Sequence, residues 1–528
     1  MCGLISVCGN QMSLDECRTA AKCLQVRGPD SEKWITLPDG IMGFHRLAIM
    51  GLHAQGMQPF HAFNNYCVCN GEIYNYQELA KQDLKDVSLT SGSDCEVLLP
   101  LWEAYGSDMF AKLDGEFALV LYLSAENEWI AARDPMGIRP LFYGYQTSNQ
   151  RIAFASEMKA LQPFCQNIHP FPIGSYYRNG KFHRYHDCAE TSQYFLCDDL
   201  SVITQGIRTR LEAAVVKRLN SDVPIGFLLS GGLDSSLVCA IAAKHSKTPI
   251  QTFAIGMEQD AIDLSYARQV AQFIGSEHTE FFMNQETVRQ ILPEVIYRLE
   301  SYDITTVRAS LAMYLLCKNI KETTDIKVLL SGEVSDELFG YKYTDYAPSP
   351  EAFQEEAQKR IRELYEYDVL RADRCISAHG LEARVPFSDT EFISYVMHID
   401  PRDKINRYGI GKYLLRSAFD NHDLPASIRM REKAAFSDAV GHSLADDLKA
   451  YAESRYTDEE FNKQSERYCY HAKPFTKEAL WYREIFESFY PGQAALITDY
   501  WMPNRSWPNC DVNDPSARVL ENYGASGF

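Results

Sequence analysis

The stretch Val223-Pro224-Ile225-Gly226-Phe227-Leu228-Leu229-Ser230-Gly231-Gly232-Leu233-Asp234-Ser235-Ser236 constrains this chain more than any other. It predicts a short buried strand, a tight turn over paired glycines, and a helix whose apolar positions Leu237, Val238 and Ile241 recur at helical spacing. Such a turn suits anions. Glycines let backbone N–H groups approach a ligand closely, and a helix N-terminus adds partial positive charge. Two serine hydroxyls supply further donors, and Asp234 is placed to hold a divalent cation against the same phosphates. The Gly-Lys-Ser/Thr ending of a Walker A loop is absent, which excludes that nucleotide site.

A Gly-Gly turn alone would be ordinary in any α/β domain. The full run Ser230-Gly231-Gly232-Leu233-Asp234-Ser235-Ser236 is far more specific and resembles the pyrophosphate-binding loop of the ATP pyrophosphatases. Members of that family adenylate a substrate and release pyrophosphate. A second strand, Thr252–Gly256, and a third, Ile326–Leu330, follow in the sequence. The third ends in Ser331-Gly332-Glu333-Val334-Ser335-Asp336, so Phe227–Gly231 and Val328–Gly332 are near-copies. Two similar strand ends in one parallel sheet place both loops at its carboxyl edge, where open α/β folds bind ligands.

The N-terminal half carries different chemistry. The chain begins Met1-Cys2-Gly3, and removal of Met1 would leave Cys2 with both a thiol and a free α-amine. The amine's reference pKa of about 7.7–8.0 lets it accept the thiol proton near neutral pH. Downstream lie Arg27-Gly28-Pro29-Asp30, His45-Arg46-Leu47-Ala48-Ile49, Asn70-Gly71-Glu72, Ser91–Glu96, Arg133–Leu141 and Ala155–Lys159, polar clusters beside strand-like runs. Together they resemble the class II glutamine amidotransferase domain with its N-terminal-nucleophile fold. That resemblance implies that Cys2 attacks the glutamine amide, and that Asn70 and Gly71 form the oxyanion hole. It also implies that Arg46, Ile49, Glu72 and Asp94 contact glutamine.

The two halves joined resemble the glutamine-hydrolysing asparagine synthetases, and the resemblance covers almost the whole chain. Stretches Tyr302–Ser310, Gly380–Phe387 and Arg431-Glu432-Lys433 add to it. It implies that ATP contacts Leu229, Ile255, Ser331 and Gly332 as well as the Ser230–Ser236 loop. It makes Asp234 and Asp336 ligands of Mg2+, sets Lys433 against the α-phosphate, and gives Glu333 to the second half-reaction. Thr305, Thr306 and Arg308 would line the site of the adenylated intermediate. An apolar internal passage for ammonia is also implied. Val26 and Val334 stand where the family usually has His and Gly, and Ser388 stands where it has Leu. We expect Val334 to take an ordinary extended conformation with negative φ.

The fold expected is an N-terminal-nucleophile αββα sandwich over residues 2–195, then an α/β parallel-sheet ATP-pyrophosphatase domain with additional helices over 200–500. Residues 501–528, rich in Pro, Asn and Ser, read as a loosely ordered tail. The substrates expected are L-glutamine, L-aspartate and ATP. The net charge of −19 has no like-charge block, which argues against nucleic acid. No apolar run reaches membrane-spanning length and no signal-peptide pattern opens the chain, so no membrane partner and a cytoplasmic location are expected. The fifteen scattered cysteines suggest reduced, buried thiols, and Cys67-Val68-Cys69 is explained by alternation on a strand. A homodimer is compatible with this reading. Its rivals are another amide-forming enzyme on the same scaffold, of the β-lactam synthetase kind, and a non-catalytic glutamine or ATP sensor.

Overall fold

The computed structural model describes every residue except 192–194, 197, 433–439 and 524–528. The chain divides into two compact units. The first comprises Met1–Cys188 with Asn220–Pro224 and Ser377–Ala383, and the second comprises Ala189–Leu219, Ile225–Ile376 and Arg384–Phe528.

In the first unit, two six-stranded sheets form the frame. One carries Gly3–Cys8 between Ile152–Ala155 and Gly40–Arg46; the other carries Gly115–Leu123 between Asn65–Ile73 and Glu128–Arg133. Their facing side chains, among them Leu4, Phe44, Val68, Ala118, Val120 and Ala131, share one buried cluster. The opposite face of the second sheet buries Cys67, Cys69, Leu119 and Leu121 against the helix Leu98–Tyr105. The period-2 alternation of a strand therefore sends Val68 to one layer and its flanking cysteines to the other. The helix Leu14–Ala21 buries Cys17 and Ala21 over the first sheet, which completes an αββα sandwich.

In the second unit, Glu277–Met283, Gln251–Met257, Ile225–Leu228 and Val328–Leu330 pair in parallel in that order. Phe227, Leu228, Val328, Leu329 and Leu330 are all buried, as strands covered on both faces must be. The helices Leu233–His245 and Ile304–Thr323 are buried almost throughout, and the second of these starts at an Asp303 cap. No helix among the described residues is long and apolar enough to cross a membrane.

Two expectations are corrected. Val334 has φ of 81° and ψ of −20°, in the left-handed region, not the extended one. The chain must reverse between Glu333 and the short helix Ser335–Phe339, and that reversal imposes the conformation on whatever residue stands there. A β-branched residue held there carries on the order of 1–3 kcal/mol of strain. The C-terminal stretch is also packed up to residue 523, and 524–528 lie outside the described residues. Trp507, Cys510, Ala517, Leu520 and Tyr523 form an apolar cluster with Tyr343. Its Pro and Asn content had suggested looseness, but its aromatic residues supply enough apolar surface to dock.

Candidate active sites

Register places the nucleophile of the first unit. Gly3 lies opposite His45, so Cys2 stands beside Arg46 at the end of the same strand pair. The Cys2 N–H donates to Asn70 Oδ1 at 2.8 Å, the Leu47 N–H points to Cys2 Sγ at 3.4 Å, and Arg27 Nε holds the Cys2 carbonyl at 3.0 Å. Arg27 is fully buried and its Nη1 also donates to Glu157 Oε1 at 2.8 Å. Fixing Asn70 through Oδ1 leaves its Nδ2 buried without a hydrogen-bond partner among the described residues. A buried amide donor without an acceptor is costly unless a ligand oxygen uses it, and this one belongs to the side chain that accepts the Cys2 N–H. At Gly71 a Cβ would lie 2.3 Å from the Glu116 carbonyl oxygen, which explains the glycine.

Arg46 and Asp94 are both buried, as are Ile49 and Glu72. Backbone carbonyls of His53, Met50 and Gly51 grip the Arg46 guanidinium, and Asp94 Oδ2 accepts from the Ile73 N–H at 2.7 Å. Burial pushes the Cys2 thiol up to about 11, opposed by the nearby Met1 ammonium and the Leu47 N–H. The Met1 amine is itself pushed down to about 6, chiefly by burial. It donates to the Leu381 carbonyl at 3.2 Å. A thiol with so high a pKa needs an adjacent base, and a free α-amine on Cys2 itself would be the nearest one.

The second unit's site is a cavity of about 220 Å³ at the carboxyl ends of the parallel strands. Gly231 has φ of 74°, and a Cβ there would meet the Ala267 nitrogen at 2.5 Å. A Cβ on Gly332 would fall 2.7 Å from the Ser235 nitrogen, so the two loops nearly touch. The Ser230 and Ser235 hydroxyls lie 3.0 Å apart, whereas the Ser236 and Ser331 hydroxyls are buried without partners among the described residues. Leu229, Ile255, Asp234, Glu333, Asp336 and Arg308 all face this cavity. Ser230, Gly232, Ser235, Thr305, Ser331 and Gly332 do so as well.

Not every expected residue does. Gly231 supports the turn from behind, and Ser236 is buried in the helix. The Thr306 hydroxyl and N–H both bind Asp303 Oδ2, at 2.8 and 2.9 Å, which makes Thr306 part of a helix cap. Thr305 shares that cap through a 2.6 Å hydrogen bond but still lines the cavity. Lys433 lies outside the described residues.

Several residues hold positions to which the sequence assigns no role. Lys412 Nζ donates to both oxygens of Asp234 at 2.9 Å, to the Ser335 hydroxyl at 2.9 Å, and pairs with Asp336 at 2.5 Å. Its only sequence cue is the short Gly409-Ile410-Gly411-Lys412 run. Arg371 binds Glu333 at 2.6 Å, and Arg431 reaches the Gly231 carbonyl at 3.2 Å while pairing with Asp263 at 2.8 Å. Glu337, also in the cavity, is pushed up to about 8 by burial and by Asp368 and Asp336, so it is largely protonated at neutral pH. Among the described residues no cluster of three or more metal-type side chains occurs. Two carboxylates beside a phosphate loop still suit Mg2+, which keeps several waters and takes substrate phosphates as ligands.

Comparison with known proteins assigns both units. Residues 1–197 match the family described as glutamine amidotransferase domain, and 206–352 and 343–518 match the one described as asparagine synthase. A glutamine-hydrolysing asparagine synthetase of Cricetulus griseus is 42% identical over 567 residues, covering 99% of each chain. The one from Asparagus officinalis is 39% identical over 551 residues, covering 100% of this chain and 92% of its own. A probable asparagine synthetase of Dictyostelium discoideum is 38% identical over 559 residues, covering 98% of each.

Proposed function

Because this chain belongs to the glutamine-hydrolysing asparagine synthetases, we propose a specific assignment of its residues to the two half-reactions. The chain is an ATP-dependent carbon–nitrogen ligase that makes asparagine with glutamine as nitrogen donor. In the first unit, Cys2 freed of Met1 loses its thiol proton to its own α-amine and attacks the glutamine side-chain carbonyl. The oxyanion is received by Asn70 Nδ2 and the Gly71 N–H, and collapse expels ammonia and leaves a thioester, which water cleaves to glutamate. Arg46 binds the glutamine α-carboxylate through a two-pronged contact, and Asp94 binds its α-ammonium, with Ile49 and Glu72 beside them.

In the second unit, ATP lies across the Ser230–Ser236 and Ser331–Gly332 loops, with adenine near Leu229 and Ile255. The aspartate β-carboxylate attacks the α-phosphorus, and pyrophosphate leaves. Ammonia then attacks the β-carbonyl of β-aspartyl-AMP, and AMP leaves. Lys412 supplies positive charge where the pyrophosphate departs, and Lys433 is our proposed partner for the α-phosphate. Asp234 and Asp336 would hold Mg2+, which when bound would offset phosphate charge. Glu333, oriented by Arg371, would take the proton that ammonia sheds. We place the enzyme in the cytoplasm and allow it to dimerise.

The observation that carries this reading is the meeting of the two repeated loops, Gly332 against Ser235, in a cavity that also holds Asp234, Asp336 and Lys412. Incubation with glutamine, aspartate and MgATP tests it. Asparagine with equimolar AMP and pyrophosphate is expected; formation of ADP would overturn it.

A further inference from the structure

We propose that the C-terminal segment Trp501–Tyr523 is a wall of the synthetase cavity, and that Asp514 is a positioning residue that aims Arg308 at the aspartate substrate. The proposal rests on the function assigned above and adds a substrate-positioning element to it.

Four residues of this segment, Trp501, Pro515, Ser516 and Ala517, line the cavity. The segment is anchored on both sides of Asp514. Before it, the Trp501 N–H donates to Asp303 Oδ1 at 2.7 Å, and Asp303 is the cap that holds Thr305. After it, Arg518 pairs with Asp446 through two contacts of 2.9 and 3.1 Å. The Asn522 amide donates to the Lys342 carbonyl at 2.7 Å and to Asp345 at 3.0 Å. The apolar cluster on Tyr343, itself a cavity residue, seats the remainder.

Between these anchors, Asp514 meets Arg308. Glu478 takes Nε and Nη2 of the guanidinium, the Nε contact being 2.8 Å, and the Tyr482 hydroxyl steadies Glu478 at 2.8 Å. Asp514 takes Nη1 at 3.3 Å. Its own carboxylate is fixed by the Ser516 N–H at 2.8 Å and by Lys449 at 2.6 Å. A guanidinium has five N–H donors in a rigid plane, so two carboxylates on different edges determine its orientation. These contacts use three donors and leave one on each terminal nitrogen, and Arg308 borders the cavity. That remaining pair is suited to a carboxylate of a small dicarboxylic amino acid. Without Asp514, Nη1 loses its only fixed partner among the described residues and the plane can turn about its Glu478 edge.

The test uses the full-length chain, with ammonium chloride as nitrogen source and pyrophosphate release as readout. Asp514→Asn keeps the shape and the Ser516 contact but removes the charge. It is expected to raise the KM for aspartate about tenfold while the KM for ATP changes less than twofold. Asp514→Glu is expected to recover most of the loss, and Lys449→Met, which loosens Asp514 without touching Arg308, to raise the aspartate KM more modestly. Glutamate release from glutamine without ATP should be unchanged in all three and reports an intact first unit, while the near-constant KM for ATP reports an intact second one. An unchanged aspartate KM in active Asp514→Asn, or equal rises in both KM values, would overturn the proposal. Failure of the unaltered chain to make asparagine in the same assay would instead overturn the underlying function.

Discussion

The two units build their sites in opposite ways. In the first, neighbouring strands do most of the placing: Cys2 and Arg46 are adjacent through the pairing of two strands, and Asn70 comes from the facing sheet. The site is held ready by a buried amide donor with no partner among the described residues. In the second, the phosphate loops come from strand ends, but the charges that govern them arrive from far along the chain. Lys412 binds Asp234 across 178 positions, and Asp514 reaches Arg308 across 206. A site built on local register is legible in short motifs; one completed by distant cations and a C-terminal segment is not.

Replacing Cys2 with Ala should separate the units most sharply. Glutamine-dependent synthesis should fall by more than about a thousandfold, while synthesis from ammonium chloride continues near the normal rate. Equal loss of both would erase the distinction between the sites. Asn70→Ala probes the same unit through its oxyanion donor and should lower glutamate formation by about 10²–10³-fold, again sparing ammonium-driven synthesis. Little change would mean that the unpartnered Nδ2 is not used.

For the second unit, Lys412→Met should leave glutaminase activity intact and lower pyrophosphate release by about 10²-fold. It leaves Asp234 and Asp336 facing each other without the cation between them. Wild-type kinetics in this variant would show that the lysine merely fills space.

Glu337 gives a pH signature. Its carboxyl is raised from 4.5 to about 8 in the folded chain. A raised acid favours folding only while protonated. Stability should therefore decline as pH rises from about 4.5 toward 8, and Glu337→Gln should flatten that part of a Tm-against-pH curve. An unchanged slope would contradict the assignment.

The smallest effect concerns Val334. Buried Val packing is worth roughly 1.5–3 kcal/mol, and relief of positive-φ strain returns about 1–3 kcal/mol. Val334→Gly loses the first and gains the second, whereas Val334→Ala loses packing and keeps the strain. Glycine should thus be the more stable variant by about 1 kcal/mol in thermal unfolding, the reverse of the order usual at negative φ. If alanine proves more stable, the left-handed turn is not a constraint.

Much of the fold was legible because its signals are local. The strand–turn–helix around Ser230, the near-copy at Ser331 and the alternation at Cys67–Cys69 follow from periodicity and turn chemistry. Residue by residue, Leu229, Asp234, Ile255 and Ser331 do meet in one cavity. Thr306 misled because a hydroxyl beside a functional residue serves equally well in a helix cap, and only the Asp303 geometry distinguishes the two uses. Val334 misled because propensity favours negative φ for a β-branched residue, yet the reversal into Ser335–Phe339 overrides it. Lys412 follows only a short Gly-Ile-Gly run and Asp514 no motif, since each is meaningful only against a partner that the tertiary fold supplies.

The central claim is that the second unit activates aspartate by adenylation rather than by phosphorylation. Aspartate labelled with 18O in its β-carboxylate tests this most directly, with ATP and ammonium chloride as the other reactants and mass spectrometry of the products. The account predicts one 18O atom in AMP and none in pyrophosphate. Label in inorganic phosphate, or unlabelled AMP, would contradict it.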